Sequence, residues 1–250
     1  MRGIRRAFES LDAYVPGKAI VELLQECPGL KPSQVVKLAS NESPLGPSLA
    51  VLRACRRALK EIHLYPDPTS SLLRQSLARL HGAPADSVIV TSGADEALRL
   101  VAETVIDPGD PCIISEFAFS RFRQHARLMG GRVIEVRALN YGHNLAAMAR
   151  SALRHRAKII FVANPNNPTG TMNSDQEVRN FLAVLLEARG RAQEEPWVVL
   201  DEAYADFARD IYPGIYPLSL PQYLKLYPKL NLMVDNMQRA LTMTGEEPNS

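Results

Sequence analysis

Three short polar segments have residue types and spacing that suit the binding of a small charged ligand. They are residues 91–96 (TSGADE), 164–170 (NPNNPTG) and 201–204 (DEAY). Each comes at the end of an apolar run that predicts a buried β-strand. Because the ligands of parallel sheets bind outside the carboxyl ends of the strands, we expect the three segments to face one ligand.

Gly93, in the first segment, is predicted to open a helix. The free backbone N–H groups at the N-terminus of a helix bind phosphate, so this segment suits a phosphate group. An ordinary capped helix start, in which Ser92 or Asp95 bonds to the backbone, explains the same residues. The segment alone leaves both interpretations open.

The second segment contains two prolines and a glycine, which exclude both a helix and a strand. A rigid loop that presents side-chain amides suits hydrogen bonding to a ligand. The alternative is a turn whose asparagines cap the backbone. The length of the run favours a ligand-binding loop.

Asp201, in the third segment, follows directly after a predicted buried strand. An isolated buried carboxylate is costly, so Asp201 requires a partner. The protonated ring nitrogen of a cofactor would provide one. A metal ion and a structural salt bridge are the alternatives.

The elements that position these segments alternate between strands and helices. Apolar runs predict strands at residues 88–91, 112–115, 133–136, 158–163, 197–200 and 231–234. Helical spacing predicts helices over residues 94–105, 119–129 and, behind a capping box from Ser174 to Glu177, 178–186. This order predicts an α/β fold with a mostly parallel sheet and helices on both faces.

The two ends of the chain lack this alternation. Residues 1–45 are irregular and rich in proline, and we assign them to an N-terminal arm that forms part of a small domain. Two predicted helices, at residues 48–62 and 70–80, begin a ligand-binding domain that extends over residues 46–234. Residues 235–250 have no apolar pattern and are predicted to be an unstructured tail.

Composition argues against several other functions. The 250 residues carry a net charge of +2, which gives no electrostatic reason to bind nucleic acid or a membrane. The three scattered cysteines favour neither a disulfide framework nor a zinc site, and Cys112 is predicted to be a buried thiol. No apolar run approaches the ~20 residues of a membrane span, so a cytoplasmic protein is expected. A nucleotide-binding domain is not expected, because no G-x-G-x-x-G follows the first strand.

Six motifs occur in one order along the chain, and together they resemble the fold-type I aminotransferases that depend on pyridoxal 5'-phosphate (PLP). The resemblance is strongest to the histidinol-phosphate aminotransferases, and it covers roughly residues 10–234. The motifs are residues 14–17 (YVPG), 38–47 (LASNESPLGP), 65–68 (YPDP), 93–96 (GADE), 164–170 (NPNNPTG) and 201–204 (DEAY).

The resemblance implies PLP as the cofactor and assigns residues to its phosphate and its ring. Gly93, Ala94 and Asp95 would bind the phosphate at the helix start. Tyr65 would reach the partner's phosphate across the interface of a homodimer. Phe119 stands where the family has an aromatic residue, usually tyrosine, against the pyridine ring, so the stacking surface is kept without the hydroxyl.

The resemblance also assigns residues to the polar edge of the ring and to the substrate. Asp201 would pair with the pyridine nitrogen and keep it protonated, as the catalytic support of the ring. Asn167 and Tyr204 would hydrogen-bond the ring hydroxyl. Asn41 and Tyr14 would lie on the substrate side.

One family motif has no match in the chain. After the strand at residues 231–234, the resemblance implies a Ser-Lys pair whose lysine forms a Schiff base with PLP and moves a proton. Residues 235–240 (DNMQRA) stand there instead, and no lysine follows Lys229. The resemblance therefore implies a C-terminally truncated protein with an incomplete sheet and exposed apolar surface, inactive as it stands.

The implied activity is amino-group transfer from an amino acid phosphate to 2-oxoglutarate in histidine biosynthesis. The partners would be amino acid and oxo acid substrates. One alternative is a PLP-binding or dimerising protein without catalysis. The other is a relative of the threonine-phosphate decarboxylases or aromatic aminotransferases.

Overall fold

The computed structural model describes residues 7–8, 11, 17–38, 40–43, 45–187, 195–217, 220–227 and 231–235. Within them, five parallel strands form one sheet in the order β2–β1–β3–β4–β5. The strands are β1 (Pro111–Ser115), β2 (Arg132–Val136), β3 (Ile159–Ala163), β4 (Trp197–Asp201) and β5 (Asn231–Asp235). The predicted α/β class with a parallel sheet is confirmed.

Nine helices surround or precede the sheet within the same described ranges. They are α1 (Ile20–Glu26), α2 (Leu49–Ala58), α3 (Ser71–His81), α4 (Ala94–Val105), α5 (Ser120–Leu128), α6 (Leu145–His155), α7 (Asp175–Glu187), α8 (Ala205–Ile211) and α9 (Leu220–Leu226). Short 3₁₀ turns lie at Pro32–Gln34 and Ala85–Ser87. None of the helices in the described ranges is long and apolar enough to cross a membrane.

Strand β3 shows why the sheet carries helices on both faces. All five of its residues are buried, and alternate side chains enter two different cores. Ile160 packs in the core that α6 and α7 complete, whereas Phe161 packs in the core of α4 and α5. A strand buried on both faces reads as a continuous apolar run, which is the pattern that the sequence has here.

Polar side chains cap the N-termini of two helices that pack on the sheet, α6 and α7. The predicted capping box before α7 is confirmed: the Ser174 N–H donates to Glu177 Oε2 at 2.8 Å, and the Glu177 N–H donates to Ser174 Oγ at 3.4 Å. Helix α6, which the sequence analysis did not predict, is capped by Asn144, whose Oδ1 accepts the Ala147 N–H at 3.0 Å. Its buried residues lie at helical spacing, so the signal for this helix was present in the sequence.

Several predicted elements differ in the structure. The strand predicted at residues 88–91 is wrong: these residues join no described strand, and the Ile89 side chain is 79% exposed. A strand requires a neighbour for its backbone hydrogen bonds, and neither β2 nor β5 pairs with this segment. Helix α2 ends at Ala58 rather than residue 62, and the lead that was predicted to be irregular contains α1.

The N-terminal helices leave much of their apolar surface exposed. Helix α2 has no buried residue, and Leu49, Leu59 and Ile62 are each more than half exposed. The predicted exposure of apolar surface is therefore found in this part of the chain. The tail was predicted at residues 235–250, but Asp235 belongs to β5. Residues 236–250 and Tyr14 lie outside the described residues.

Candidate functional site

A cavity of about 340 Å³ opens where β3 and β4 end and α4 begins. It is lined by Asn41, Ser92, Gly93, Ala94, Asp95, Phe119, Ala163, Pro165, Asn167, Asp201, Ala203 and Tyr204. The three polar segments therefore converge as the strand-end rule predicts. Of the predicted cofactor residues, only Tyr65 does not line the cavity, and its side chain is 98% exposed.

The start of α4 forms one wall of the cavity. Gly93 precedes the helix with a φ of 89°, a backbone conformation that glycine adopts without strain. Gly93 makes no side-chain cap bond, but the Glu96 carboxylate accepts the Ser92 N–H at 2.5 Å, so a side chain of the first turn does bond to the backbone at this helix start. The first turn of α4 also faces the cavity at Ala94 and Asp95.

Asp95 is held by two basic side chains of α5 that the sequence analysis did not single out. Its carboxylate accepts hydrogen bonds from both Nε and Nη2 of Arg121, and its Oδ1 lies 2.9 Å from His125 Nε2. The Arg121 hydrogen bonds, followed by the His125 contact, hold the pKa of Asp95 below its ordinary value. The pairing offsets the negative charge of Asp95, which would otherwise oppose an anion at the start of α4.

The loop at residues 164–170 uses its asparagines in different ways. Asn164 and Asn173 bond reciprocally, with Asn164 Nδ2 to Asn173 O at 3.0 Å and Asn173 N to Asn164 Oδ1 at 2.8 Å. Asn166 Nδ2 donates to the Phe117 carbonyl at 2.9 Å. The side-chain amides of Asn164 and Asn166 therefore hold the loop in place, as the turn interpretation predicts. Of the three asparagines in the loop, Asn167 lines the cavity.

His143 anchors the end of β3, and nothing in the spacing of the histidines indicated this role. Its Nε2 accepts the Ala163 N–H at 3.2 Å, at a level where β1 no longer pairs with β3. The Asn173 side chain donates to its carbonyl at 3.1 Å. Burial lowers the pKa of His143 to about 4, so the ring is neutral and able to accept at neutral pH.

Asp201 is a buried carboxylate that faces the cavity from the end of β4. It is 6% exposed and accepts one hydrogen bond, from the Ala203 N–H at 3.0 Å. Burial raises the pKa of the Asp201 carboxyl to about 6, against the weaker effect of that hydrogen bond. In the part of the chain that the structure describes, no basic side chain forms a salt bridge with Asp201, and no group of His, Cys, Asp or Glu residues could hold a metal ion.

Tyr204 and Phe119 complete the walls around Asp201. The Tyr204 hydroxyl lies 2.7 Å from Asn41 Nδ2 and 3.5 Å from Asn167 Nδ2. Phe119 lies at the start of α5, where its ring packs edge-on against Phe122 at 6.0 Å between centroids. The cavity thus has an aromatic wall at Phe119 and an acidic end at Asp201. Asn167 and Tyr204 form a third side, the amide–hydroxyl edge. These groups suit a flat, polar ring.

Comparison with known proteins identifies the family. The model of the family described as "Aminotransferase class I and II" matches residues 33–241. The chain belongs to the class I and II aminotransferase family. The match includes every described residue that lines the cavity.

Two curated relatives of this aminotransferase-family chain are histidinol-phosphate aminotransferases. A histidinol-phosphate aminotransferase of Moorella thermoacetica is 42% identical over 211 residues, which are 84% of this chain and 52% of that protein. One of Symbiobacterium thermophilum is 39% identical over 207 residues, 83% of this chain and 54% of that protein. The chain therefore spans about half the length of the curated relatives it matches.

A solved structure agrees with the family assignment and extends it to the fold. The histidinol-phosphate aminotransferase of Sinorhizobium meliloti, crystallised in complex with pyridoxal-5'-phosphate, has a TM-score of 0.78 at 26% identity. The likeness covers 95% of this aminotransferase-family chain and 59% of that one. The fold-type I architecture that the sequence motifs imply is confirmed.

Proposed function

We propose that this chain binds PLP in the cavity at the ends of β3 and β4, as part of a histidinol-phosphate aminotransferase. The observation that carries the proposal is Asp201, a buried carboxylate that faces the cavity without a cation among the described residues. The names of the curated relatives support the activity, and the PLP complex of the Sinorhizobium meliloti protein supports the cofactor.

The residues around the cavity fit PLP in charge and shape. Asp201 would pair with the protonated pyridine nitrogen, and Phe119 would cover the ring face. The first turn of α4, from Gly93 to Asp95, would bind the phosphate. When bound, PLP would supply an electron sink for the substrate's α-carbon, and the Asp201 carboxylate would keep the ring nitrogen protonated.

The amide–hydroxyl edge would hold the ring in the orientation that brings its nitrogen to Asp201. Asn167 and Tyr204 would bond the ring oxygen, and the hydrogen bonds of Asn164 and Asn173 fix the loop that carries Asn167. Residues Asn41 and Tyr14 are proposed for the substrate side. The substrates would be an amino acid phosphate and an oxo acid.

A homodimer is part of the proposal. Tyr65 is 98% exposed and lies outside the cavity of its own chain, which suits a residue that acts in a partner's site. Apolar side chains before and after Tyr65 in the chain are exposed as well, among them Leu49 on α2, Ile62 between the two helices and Leu72 on α3. An exposed apolar surface of this kind is typical of a protein–protein interface.

Titration calorimetry with PLP and the 250-residue chain tests the proposed function. We expect the wild-type chain to bind one PLP and the Asp201→Asn variant to bind at least about tenfold more weakly, because the charge-assisted hydrogen bond to the ring nitrogen is lost. The matched control is Asp206→Asn on α8, a similar charge change outside the cavity. Equal affinities of wild type and Asp201→Asn would contradict the proposal.

A further inference from the structure

The hydroxyl of Tyr204 meets two amide groups from distant parts of the chain. Asn41 Nδ2 donates to it at 2.7 Å, and Asn167 Nδ2 approaches it at 3.5 Å. Asn41 precedes α2 in the N-terminal segment, and Asn167 lies in the loop after β3. The shorter contact is therefore the one between the N-terminal segment and Tyr204.

These two contacts restrict what the Tyr204 hydroxyl can do. A phenolic hydroxyl accepts through its oxygen lone pairs and donates a single O–H. Where amide N–H groups approach the oxygen, the hydroxyl proton must point to a third group. Among the described residues no hydrogen bond has the Tyr204 hydroxyl as its donor, and Tyr204 lines the cavity, so the O–H is available to donate to a ligand there.

We propose that Asn41 is a positioning residue, which directs the Tyr204 hydroxyl to donate its proton to an anionic oxygen on the ring bound in the cavity. The inference rests on the proposed function, in which that ring is PLP and the oxygen is its ring hydroxylate. Asn41 acts here through Tyr204, whereas the family resemblance placed it on the substrate side. A donor at the ring oxygen stabilises its anionic form.

The consequence is that the polarity of the residue at position 41 controls the strength of ring binding. An aspartate at this position accepts but does not donate, so it would attract the Tyr204 proton away from the cavity. A leucine has a similar shape and makes no hydrogen bond with Tyr204. Asn41→Asp is therefore expected to weaken binding more than Asn41→Leu does.

Calorimetric titration of the 250-residue chain with two ligands tests this inference. The ligands are PLP and its analogue that lacks the ring hydroxyl, 3-deoxypyridoxal 5'-phosphate. We expect Asn41→Leu to weaken PLP binding about fivefold and Asn41→Asp to weaken it more than about tenfold. Binding of the 3-deoxy analogue should change less than twofold with either variant, because it has no oxygen for Tyr204 to reach.

Two further variants separate positioning from a general structural effect. In a Tyr204→Phe background the substitutions at Asn41 should have no further effect on PLP affinity, since Asn41 acts through the hydroxyl. Asn180→Asp, an exposed position on α7, makes the same change of charge and should leave PLP affinity unchanged. Thermal melts of each variant show whether it is folded.

The outcomes distinguish this inference from the proposed function. A wild-type chain that does not bind PLP overturns both. Wild-type binding with an unchanged affinity in Asn41→Asp overturns the role of Asn41 alone. An equal loss for PLP and the 3-deoxy analogue, or a loss that persists in the Tyr204→Phe background, also overturns it, because Asn41 would then act by another route.

Discussion

Asp201 illustrates how a buried carboxylate can oppose the stability of the protein that carries it. Its carboxyl is 6% exposed, and burial raises its pKa to about 6 from an ordinary value of 3.8. At neutral pH the folded chain therefore holds a charge at a place where ionisation costs more free energy than it does in water. A cationic ligand group beside Asp201 would offset this cost, which is the reason that we propose Asp201 as the partner of the ring nitrogen.

The Asp201→Asn variant is expected to be more stable than wild type without ligand, although it binds PLP more weakly. Below pH 3.8 the carboxyl is protonated in both the folded and the unfolded state, so Asp201 has no effect on stability. Between pH 3.8 and about 6 the unfolded state ionises first, and the stability that wild type loses grows with pH. Above pH 6 the loss is constant at about 3 kcal/mol, from a difference of about 2 pKa units.

Urea unfolding at pH 4 and pH 8 measures this difference. The advantage of Asp201→Asn over wild type should be close to zero at pH 4 and reach a few kcal/mol at pH 8. The Asp206→Asn variant controls for the loss of a carboxylate elsewhere. An advantage that is the same at both pH values would show that Asp201 does not carry the buried charge.

Individual site residues were predictable where a local rule applied to them. Asn167, Asp201 and Tyr204 follow strands, and the strand-end rule placed them together correctly. The contacts of Arg121 and His143 could not be predicted, because each side chain bonds to a group that is distant in sequence. The sequence around each residue indicates only an ordinary helix or turn. Their role depends on contacts that only the fold creates.

At the scale of elements, the loop after β3 owes its shape to hydrogen bonds that are buried beneath the cavity. Asn164 and Asn173 exchange two of them, and the Tyr216 hydroxyl donates to the Asn164 carbonyl. All three residues are buried. Buried polar groups that lose their partner cost more than exposed ones, so this loop is sensitive to a single substitution.

We expect Asn164→Ala to lower the free energy of unfolding by about 2–4 kcal/mol, since it removes two buried hydrogen bonds and leaves the Asn173 N–H without its acceptor. PLP affinity should also fall, because the loop carries Asn167. Urea unfolding and calorimetry measure the two effects. Asn180→Ala, on the exposed side of α7, is the control, and an Asn164→Ala variant as stable as that control would contradict the role of the loop.

Most elements were predictable because their signals are local. The strands at residues 112–115, 133–136, 158–163 and 197–200 agree with β1 to β4 within two residues. The segment at residues 88–91 has an equally apolar sequence, but strand formation requires a neighbour that is distant in sequence. Periodicity reports which residues can be buried, and it does not report whether a partner is beside them.

At the scale of the whole molecule, the positions of the lysines bear on whether PLP binds noncovalently or through a Schiff base. No lysine is among the described residues that line the cavity, and no lysine follows Lys229 in the sequence. Lys225 is exposed on α9 and does not reach the cavity wall. For this 250-residue chain we therefore predict that PLP binds reversibly. The predicted boundaries at residues 45 and 234 stay predictions.

Borohydride reduction of the PLP-treated chain, followed by peptide mapping, tests this expectation. We expect no lysine to be modified stoichiometrically, and no transamination above the rate of free PLP. Surface lysines that react without selectivity are recognised because excess 4-deoxypyridoxine phosphate does not protect them. A single lysine that is modified fully and is protected by that analogue would contradict the prediction.

The limited overlap between the packed cores and the cavity has an evolutionary consequence. Of the described residues that line the cavity, Ala163 belongs to a buried apolar cluster and Phe119 packs against the same cluster. Mutations at the other lining positions can accumulate without a loss of core packing, so ligand preference can change while the fold persists. Ala163 and Phe119 are the two positions where ligand binding and core packing constrain the same residue.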